Sequence, residues 1–192
     1  MEESVDEFLA LCKQGDFDAF EQLVGRYEKM VYNLGVRLLG RPSEAQEILQ
    51  ETFLRVHKAL PRFEGSTGLS SWIYTIALNQ CRMRLRNNKG VVTEELDETI
   101  LSYKTRAPEA QTGLLPNPAD VLADKEMHEQ VEAAVQELPE PYRMVFVLRS
   151  MEGHSTEETA RLLDLSEAAV KSRLHRSRMF LRGRLCEYFE KC

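Results

Sequence analysis

Apolar residues return along almost the whole chain with the 3.6-residue period of a helix, and no alternating strand pattern of useful length interrupts them. That feature confines the fold to an all-α architecture, because a helix apolar along one stripe must bury it against another helix. From Phe17 the stripe runs through Phe20, Leu23, Val24, Tyr27, Val31, Leu34 and Leu38, then breaks after Gly40 at Arg41 and Pro42. The next helix, "EAQEILQETFLRVHKAL", has Ser43 and Gln46 at capping-box spacing ahead of it. Its buried face is predicted to hold Ile48, Leu49, Thr52, Phe53, Val56 and Leu60, with a stop near Pro61. "RFEGSTGLSS" reads as a loop in which Gly65 and Gly68 let the backbone bend. Helix resumes in "SSWIYTIALNQCRMRLRNNK", residues 70–89.

Residues 90–116 sustain no apolar stripe and contain Pro108, Gly113 and Pro116, so they read as a linker. Asn117 and Pro118 have the chemistry of a helix start. The helix they open would bury Val121, Met127, Val131, Ala134, Val135 and Leu138; "LPEPY" then turns into "RMVFVLRSM", which Gly153 ends. The expected organisation is two small helical domains, residues 1–90 and 118–192, joined by a flexible acidic linker over residues 91–117.

Charge is distributed unevenly over a chain of 192 residues with a formal net charge of −6. Residues 90–140 hold twelve acids against three bases, whereas residues 166–184 hold six bases against Glu167 alone. A second basic cluster, Arg82, Arg84, Arg86 and Lys89, follows the only tryptophan, Trp72, with no acid among them. Two basic faces within an acidic chain point to nucleic acid. No apolar run approaches the roughly twenty residues of a membrane span, and the acidic "MEESVDEFLA" is unlike a signal peptide, so a cytoplasmic protein is expected. The cysteines and histidines lie too far apart for a metal signature, and no nucleophile, base or phosphate-cradling glycine motif appears. No metal, no cofactor and no catalytic residue are therefore expected.

Each basic face has a distinct grammar. "STEETARLLDLSEAAVKSRLHRSRMFLRGRL" reads as a helix-turn-helix: Ser155 and Glu158 form a capping box, Asp164 takes the sharp turn and Ser166 caps the second helix. Val170 and Leu174 point inward, leaving Ala168, Ala169, Lys171, Ser172, Arg173 and Arg176 for a major groove and its phosphates. On residues 70–89, helical spacing gathers Thr75, Asn79, Arg82 and Arg86 on one polar face and Ile73, Ile76, Ala77 and Leu85 on the inner one. Asn79 can read base edges, the guanidiniums can hold phosphates, and Phe63 beside the glycine loop can wall an unstacked base, which is a single-strand site in kind. Trp72 is expected to pack rather than stack on a base.

These segments, in this order, resemble the extracytoplasmic function (ECF) group of bacterial RNA polymerase sigma factors, which retain only regions two and four joined by a linker. "EAQEILQETFLRVHKAL" is similar to the region-two helix that docks on the polymerase, and "SSWIYTIALNQCRMRLR" to the segment that melts and reads the minus-ten element. "ELPEPYRMVFVLRSMEGHSTEETARLLDLSEAAVKSRLHRSR" resembles region four. The resemblance implies that Glu47, Gln50, Glu51 and Phe53 face the clamp of the polymerase's largest subunit, with its flap as a further contact. It implies a minus-ten site of Phe63, Gly65, Ser66, Leu69, Ser71, Thr75, Asn79, Arg82 and Arg86. Ala168, Ala169, Lys171, Ser172, Arg173 and Arg176 would meet the minus-thirty-five duplex. It further implies promoter-specific initiation under a stress-responsive anti-sigma factor, which in this family can be membrane-anchored. The sequence departs from the family pattern in four ways: Glu47 for Asp, Met83 for Asp, Leu69 for an aromatic, and Glu167-Ala168-Ala169 for a Gly-Thr pattern. The alternative reading is a free-standing helix-turn-helix regulator that binds duplex operators as a dimer.

Overall fold

The computed structural model describes residues 5–65, 68–87 and 125–189, and all regular structure among them is helical. The chain divides into two compact units, Met1–Asn88 and Lys89–Cys192. The segment read as a linker, the Asn117-Pro118 start, and the side chains of Val121 and Met127 lie outside the described residues, as does Lys89.

The first unit is a bundle of α1 (Val5–Gln14), α2 (Phe17–Leu39), α3 (Pro42–Ala59) and α4 (Leu69–Asn87), with a 3-10 turn at Leu60–Arg62. Helix α1 has no counterpart among the helices expected from the sequence, although Phe8, Leu9 and Cys12, one helical turn apart, are all buried. Asp16 caps α2 by accepting the Ala19 N–H at 2.8 Å, and Gly40 ends it in the left-handed region at φ 74°. The expected capping box at Ser43 and Gln46 does not form: α3 starts two residues earlier, with Arg41 as N-cap and Pro42 at the first helical position. Proline fits there because its fixed φ is helical and its missing N–H would have had no partner. Ser43 is thereby carried into the first turn, and Arg41 instead bridges to Glu44 at 3.0 Å.

Leu23, Val31, Leu34, Leu38, Ile48, Val56, Leu60, Ile73 and Leu78 are fully buried between α2, α3 and α4. The helix stripes therefore meet as their period requires. Two details lie outside that period. Gly35 on α2 lets α3 approach so closely that an added Cβ would stand 3.0 Å from the Cα of Ala45. Phe20, only half-buried, sets its ring edge-on to His57 of α3 at 4.9 Å between centroids.

The second unit contains α5 (Lys125–Glu137), α6 (Glu140–Phe146), α7 (Thr156–Leu163) and α8 (Glu167–Phe189). The continuous helix expected over "RMVFVLRSM" stays α only to Phe146 and widens into a π turn over Val147–Met151, closed by Glu152 N–H to the Val147 carbonyl at 2.9 Å. Arg149 donates to the His154 carbonyl across that turn. Leu138, Val145, Val147, Leu148 and Val170 form the core. Buried among them is Arg143, whose guanidinium donates to the Leu138 carbonyl at 3.1 and 3.0 Å, to Gln136 Oε1 at 2.8 Å and to the Gln136 carbonyl. One side chain thus caps the C-terminal end of α5, where helical carbonyls have no partner of their own.

Candidate nucleic-acid interface

Rotation about α4 sorts the basic cluster that the sequence presents as one. Asn79 and Arg86 are exposed and Arg82 half-buried on one side of the helix, joined there by Met83, which is 53% exposed. Met83 is missing from the face expected on sequence; the same three- and four-residue spacing that selects Arg82 and Arg86 would have found it. Arg84 points the other way. Its Nη1 donates to Glu47 at 2.7 Å and its Nη2 to Glu51 at 3.3 Å, both on α3. The hydrogen bond to Glu47, ahead of the opposing cost of burial, holds the Arg84 guanidinium above its usual pKa.

The remaining strand-site residues are distributed as follows. Ser71 is exposed, and Thr75 spends its hydroxyl proton on the Ser71 carbonyl at 2.8 Å. Leu69 is corrected: it is the first residue of α4 rather than a loop residue, and its side chain is buried in the bundle. The loop is shorter than expected because the helical stripe already claims Leu69, one turn before Ile73. Gly65 and Gly68 are exposed, Gly68 at φ 100°, while Ser66 lies outside the described residues. Phe63 and Trp72 are both half-buried, their rings 4.7 Å apart and tilted by 37°. Trp72 packs, as expected, and its partner is Phe63.

On α3, Glu47, Gln50 and Glu51 are exposed and share a face. Phe53 does not join them: it is 7% exposed and turned into the core, and its neighbour Leu54, 62% exposed, takes the outward position. A helix turns about 100° per residue, so Leu54 lines up with Glu47 and Glu51 while Phe53 lines up with Val56.

In the second unit the helix-turn-helix forms as its caps direct. Ser155 N–H donates to Glu158 at 2.7 Å and Glu158 N–H to Ser155 Oγ at 3.1 Å. Asp164 turns the chain at φ 55°, and Ala169 N–H donates to Ser166 Oγ at 3.2 Å. Val170 and Leu174 are buried. Ala168, Lys171 and Ser172 are exposed, and Ala169, Arg173 and Arg176 half-buried. Lys171 reaches Glu167 at 3.6 Å in an exposed pair, an arrangement of little energetic weight. Arg176 is oriented by Tyr142, donating to its phenol oxygen at 3.2 Å, and the buried Ser177 hydroxyl lies 3.1 Å from the Tyr142 carbonyl. These two anchors on α6 carry no local sequence signal. His175 and Arg178 are also exposed along α8.

Among the described residues no cluster of metal-ligating side chains occurs, and no helix is long and apolar enough to cross a membrane. Residues 23–91 match the family described as Sigma-70 region 2, and residues 128–181 that described as Sigma-70, region 4. The chain is 31% identical over 188 residues to the ECF RNA polymerase sigma factor SigW of Bacillus subtilis (strain 168), covering 96% of this chain and 98% of that one. To the ECF RNA polymerase sigma factor SigM of Mycobacterium tuberculosis (strain ATCC 25618 / H37Rv) it is 33% identical over 188 residues, covering 97% and 87%. Among solved structures, CnrH in complex with the cytosolic domain of CnrY is similar at a TM-score of 0.60 and 25% identity, over 94% of this chain and 96% of that one. RpoE of Bartonella quintana shares the fold at a TM-score of 0.57 and 20% identity, over 86% and 96%. With two sigma regions in order and about a third of its residues shared with such relatives over nearly its full length, the chain belongs to the ECF sigma factors of bacterial RNA polymerase.

Proposed function

We propose that this sigma factor docks on core RNA polymerase through the α3 face of Glu47, Gln50, Glu51 and Leu54, and captures the opened non-template strand on the α4 face of Asn79, Arg82 and Arg86. Ser71, Thr75 and the backbone around Gly65 and Gly68 border the captured bases. Ala168, Ala169, Lys171, Ser172, Arg173 and Arg176 on α8 meet the minus-thirty-five duplex. Sigma factors are initiation factors, not enzymes, so the chemistry remains in the polymerase. The chain's own contribution is binding energy that appears only when DNA opens.

The observation that carries this reading is the split on α4, where Arg84 is committed to Glu47 and Glu51 while Asn79 and Arg86 stay exposed on another side. One helix thus joins an acidic, apolar-tipped docking face to a cationic strand face. Extruding a base costs a few kcal/mol, and phosphate and amide contacts on α4 offset part of that cost. The acidic residues 90–140 and the net charge of −6 keep the free chain off random duplex. Specific binding then depends on the polymerase holding both domains, 1–90 and 118–192, at promoter spacing through the linker at 91–117. A free-standing operator-binding dimer would not need the α3 docking face.

Control falls to an anti-sigma factor in the cytoplasm, a reading supported by the solved complex of the similar CnrH with a cytosolic domain of CnrY. The test begins with holoenzyme reconstituted from core polymerase and the full chain, which selects a promoter from a randomised template library. On that promoter, Asn79→Ala combined with Arg82→Ala is expected to lower open-complex formation at least about tenfold, from contacts worth about 1–3 kcal/mol each. Unchanged opening would remove the α4 face from strand capture.

A further inference from the structure

Lys13, in the last turn of α1, lies on an element outside the stretch that matches sigma region two, which begins at residue 23. Its Nζ sits 5.9 Å from the centroid of the Phe63 ring, and that ring lies 4.7 Å from the ring of Trp72 on α4. Phe63 opens the segment that leads through Gly68 into α4. At Gly68 the backbone faces open space: a Cβ built there would meet nothing within 4 Å. Three elements therefore converge on the entrance to the strand-capture face, and α1 brings the cation.

Among the described residues, no carboxylate neutralises that cation. Burial of Phe8, Leu9 and Cys12 fixes α1, and Arg26 of α2 stacks over the Phe8 ring at 4.1 Å. The ring quadrupole of Phe63 orients the Lys13 ammonium but supplies no opposite charge. An ammonium with no ion pair among the described residues, beside aromatic rings and open backbone, matches the chemistry of a single-strand groove, in which cations follow the phosphates past an aromatic wall. We infer that Lys13 is a phosphate-binding residue of the strand-capture site, holding the backbone of a non-template nucleotide as it passes the Phe63 ring. The inference rests on the assignment of α4 to strand capture.

The test uses full-length protein in holoenzyme and a selected promoter fragment whose non-template strand is left unpaired by mismatches. Affinity is measured across a salt series. Lys13→Gln, which keeps the aliphatic stem over Phe63, is expected to weaken binding about three- to tenfold near 0.1 M salt and to reduce the log–log salt slope by about 0.7, the value for one phosphate on a single strand. Lys13→Arg should restore both. An unchanged slope while Asn79→Ala still lowers affinity overturns the role of Lys13 alone. A loss of affinity that leaves the slope intact, or that Lys13→Arg does not rescue, assigns Lys13 to packing and also overturns it. If neither Lys13→Gln nor Asn79→Ala changes binding to the unpaired strand, the strand-capture reading of α4 fails, and the inference with it.

Discussion

A guanidinium is costly to bury, and Arg143 is tolerated because acceptors surround it at the end of α5. Burial pushes its pKa down only to about 10, so at neutral pH it remains charged and keeps its full set of donors. Arg143→Leu would strand the carbonyls of Gln136 and Leu138. The expected loss is about 2–4 kcal/mol in the second unit, seen as a lower urea midpoint for its fluorescence- or CD-detected transition. Cys81 is the opposite case, an ionisable group with no opposite charge to hold it. Burial pushes its thiol up to about 12, leaving no thiolate near neutrality. In native protein at about pH 8, Cys81 should resist alkylation while the half-exposed Cys186 reacts, with peptide mass spectrometry as the readout. Glu158 gives a pH dependence. The Ser155 N–H bonded to its carboxylate holds its pKa below the usual range. A carboxylate whose folded pKa is depressed stabilises above its unfolded pKa, and that stability disappears as pH falls through the folded value. Helicity of α7 should therefore decline under acid conditions in the wild-type chain, and Glu158→Gln, which cannot ionise, should flatten that pH dependence. A dependence unchanged by the substitution would mean that another group controls the start of α7.

Between elements, the closest approach is α2 on α3. Gly35→Ala gains helix propensity of about 1 kcal/mol yet forces a methyl to within 3.0 Å of the Ala45 backbone, which cannot swing aside. Overpacking of this kind costs about 1–3 kcal/mol, so the first unit should be destabilised on balance and should unfold at lower urea. Neutral or raised stability would show that α2 and α3 separate freely. On α3 the helical stripe of Ile48, Thr52, Phe53 and Val56 already assigns Phe53 to the core and leaves Leu54 outside, as the structure has them; it is the family resemblance that turns Phe53 outward. Ser43 and Gln46 satisfy a capping pattern, but Pro42 can occupy the first helical position, so the helix begins before the pattern can apply. In the second unit the pattern at Ser155 and Glu158 has no such competitor, and the box forms.

For the whole molecule, two basic faces set in a chain of net charge −6 should leave neither unit binding DNA tightly alone. Arg176 is half-buried and braced by Tyr142, so removing it mixes a packing defect with the loss of a charge. Lys171→Gln with Arg173→Gln is the cleaner change on α8, because Lys171 is exposed and its pair with Glu167 is weak. In holoenzyme bound to duplex promoter it should weaken binding across sequences and reduce the salt slope by about 0.9 for each phosphate that is no longer neutralised. An unchanged slope would mean that neither residue meets a phosphate.

Interactions set within a few residues are legible in the chain itself. The helical period, the Ser155–Glu158 box, the left-handed Asp164, and the inward Val170 and Leu174 all depend on neighbours no more than four positions away. The basic character of α4 and α8 is equally plain, because a count of charges needs no fold. The destination of each charge is another matter. Arg84 sits in one run with Arg82 and Arg86, yet its partner Glu47 is 37 positions away. Arg176 finds Tyr142 across 34 positions, and Lys13 meets Phe63 only because α1 folds back onto the turn after α3. Local periodicity determines which side of a helix is apolar. Which charges are consumed by the fold and which remain for polymerase and DNA depends on helix packing, because ion pairs and ring contacts form by distance in space and not by order along the chain.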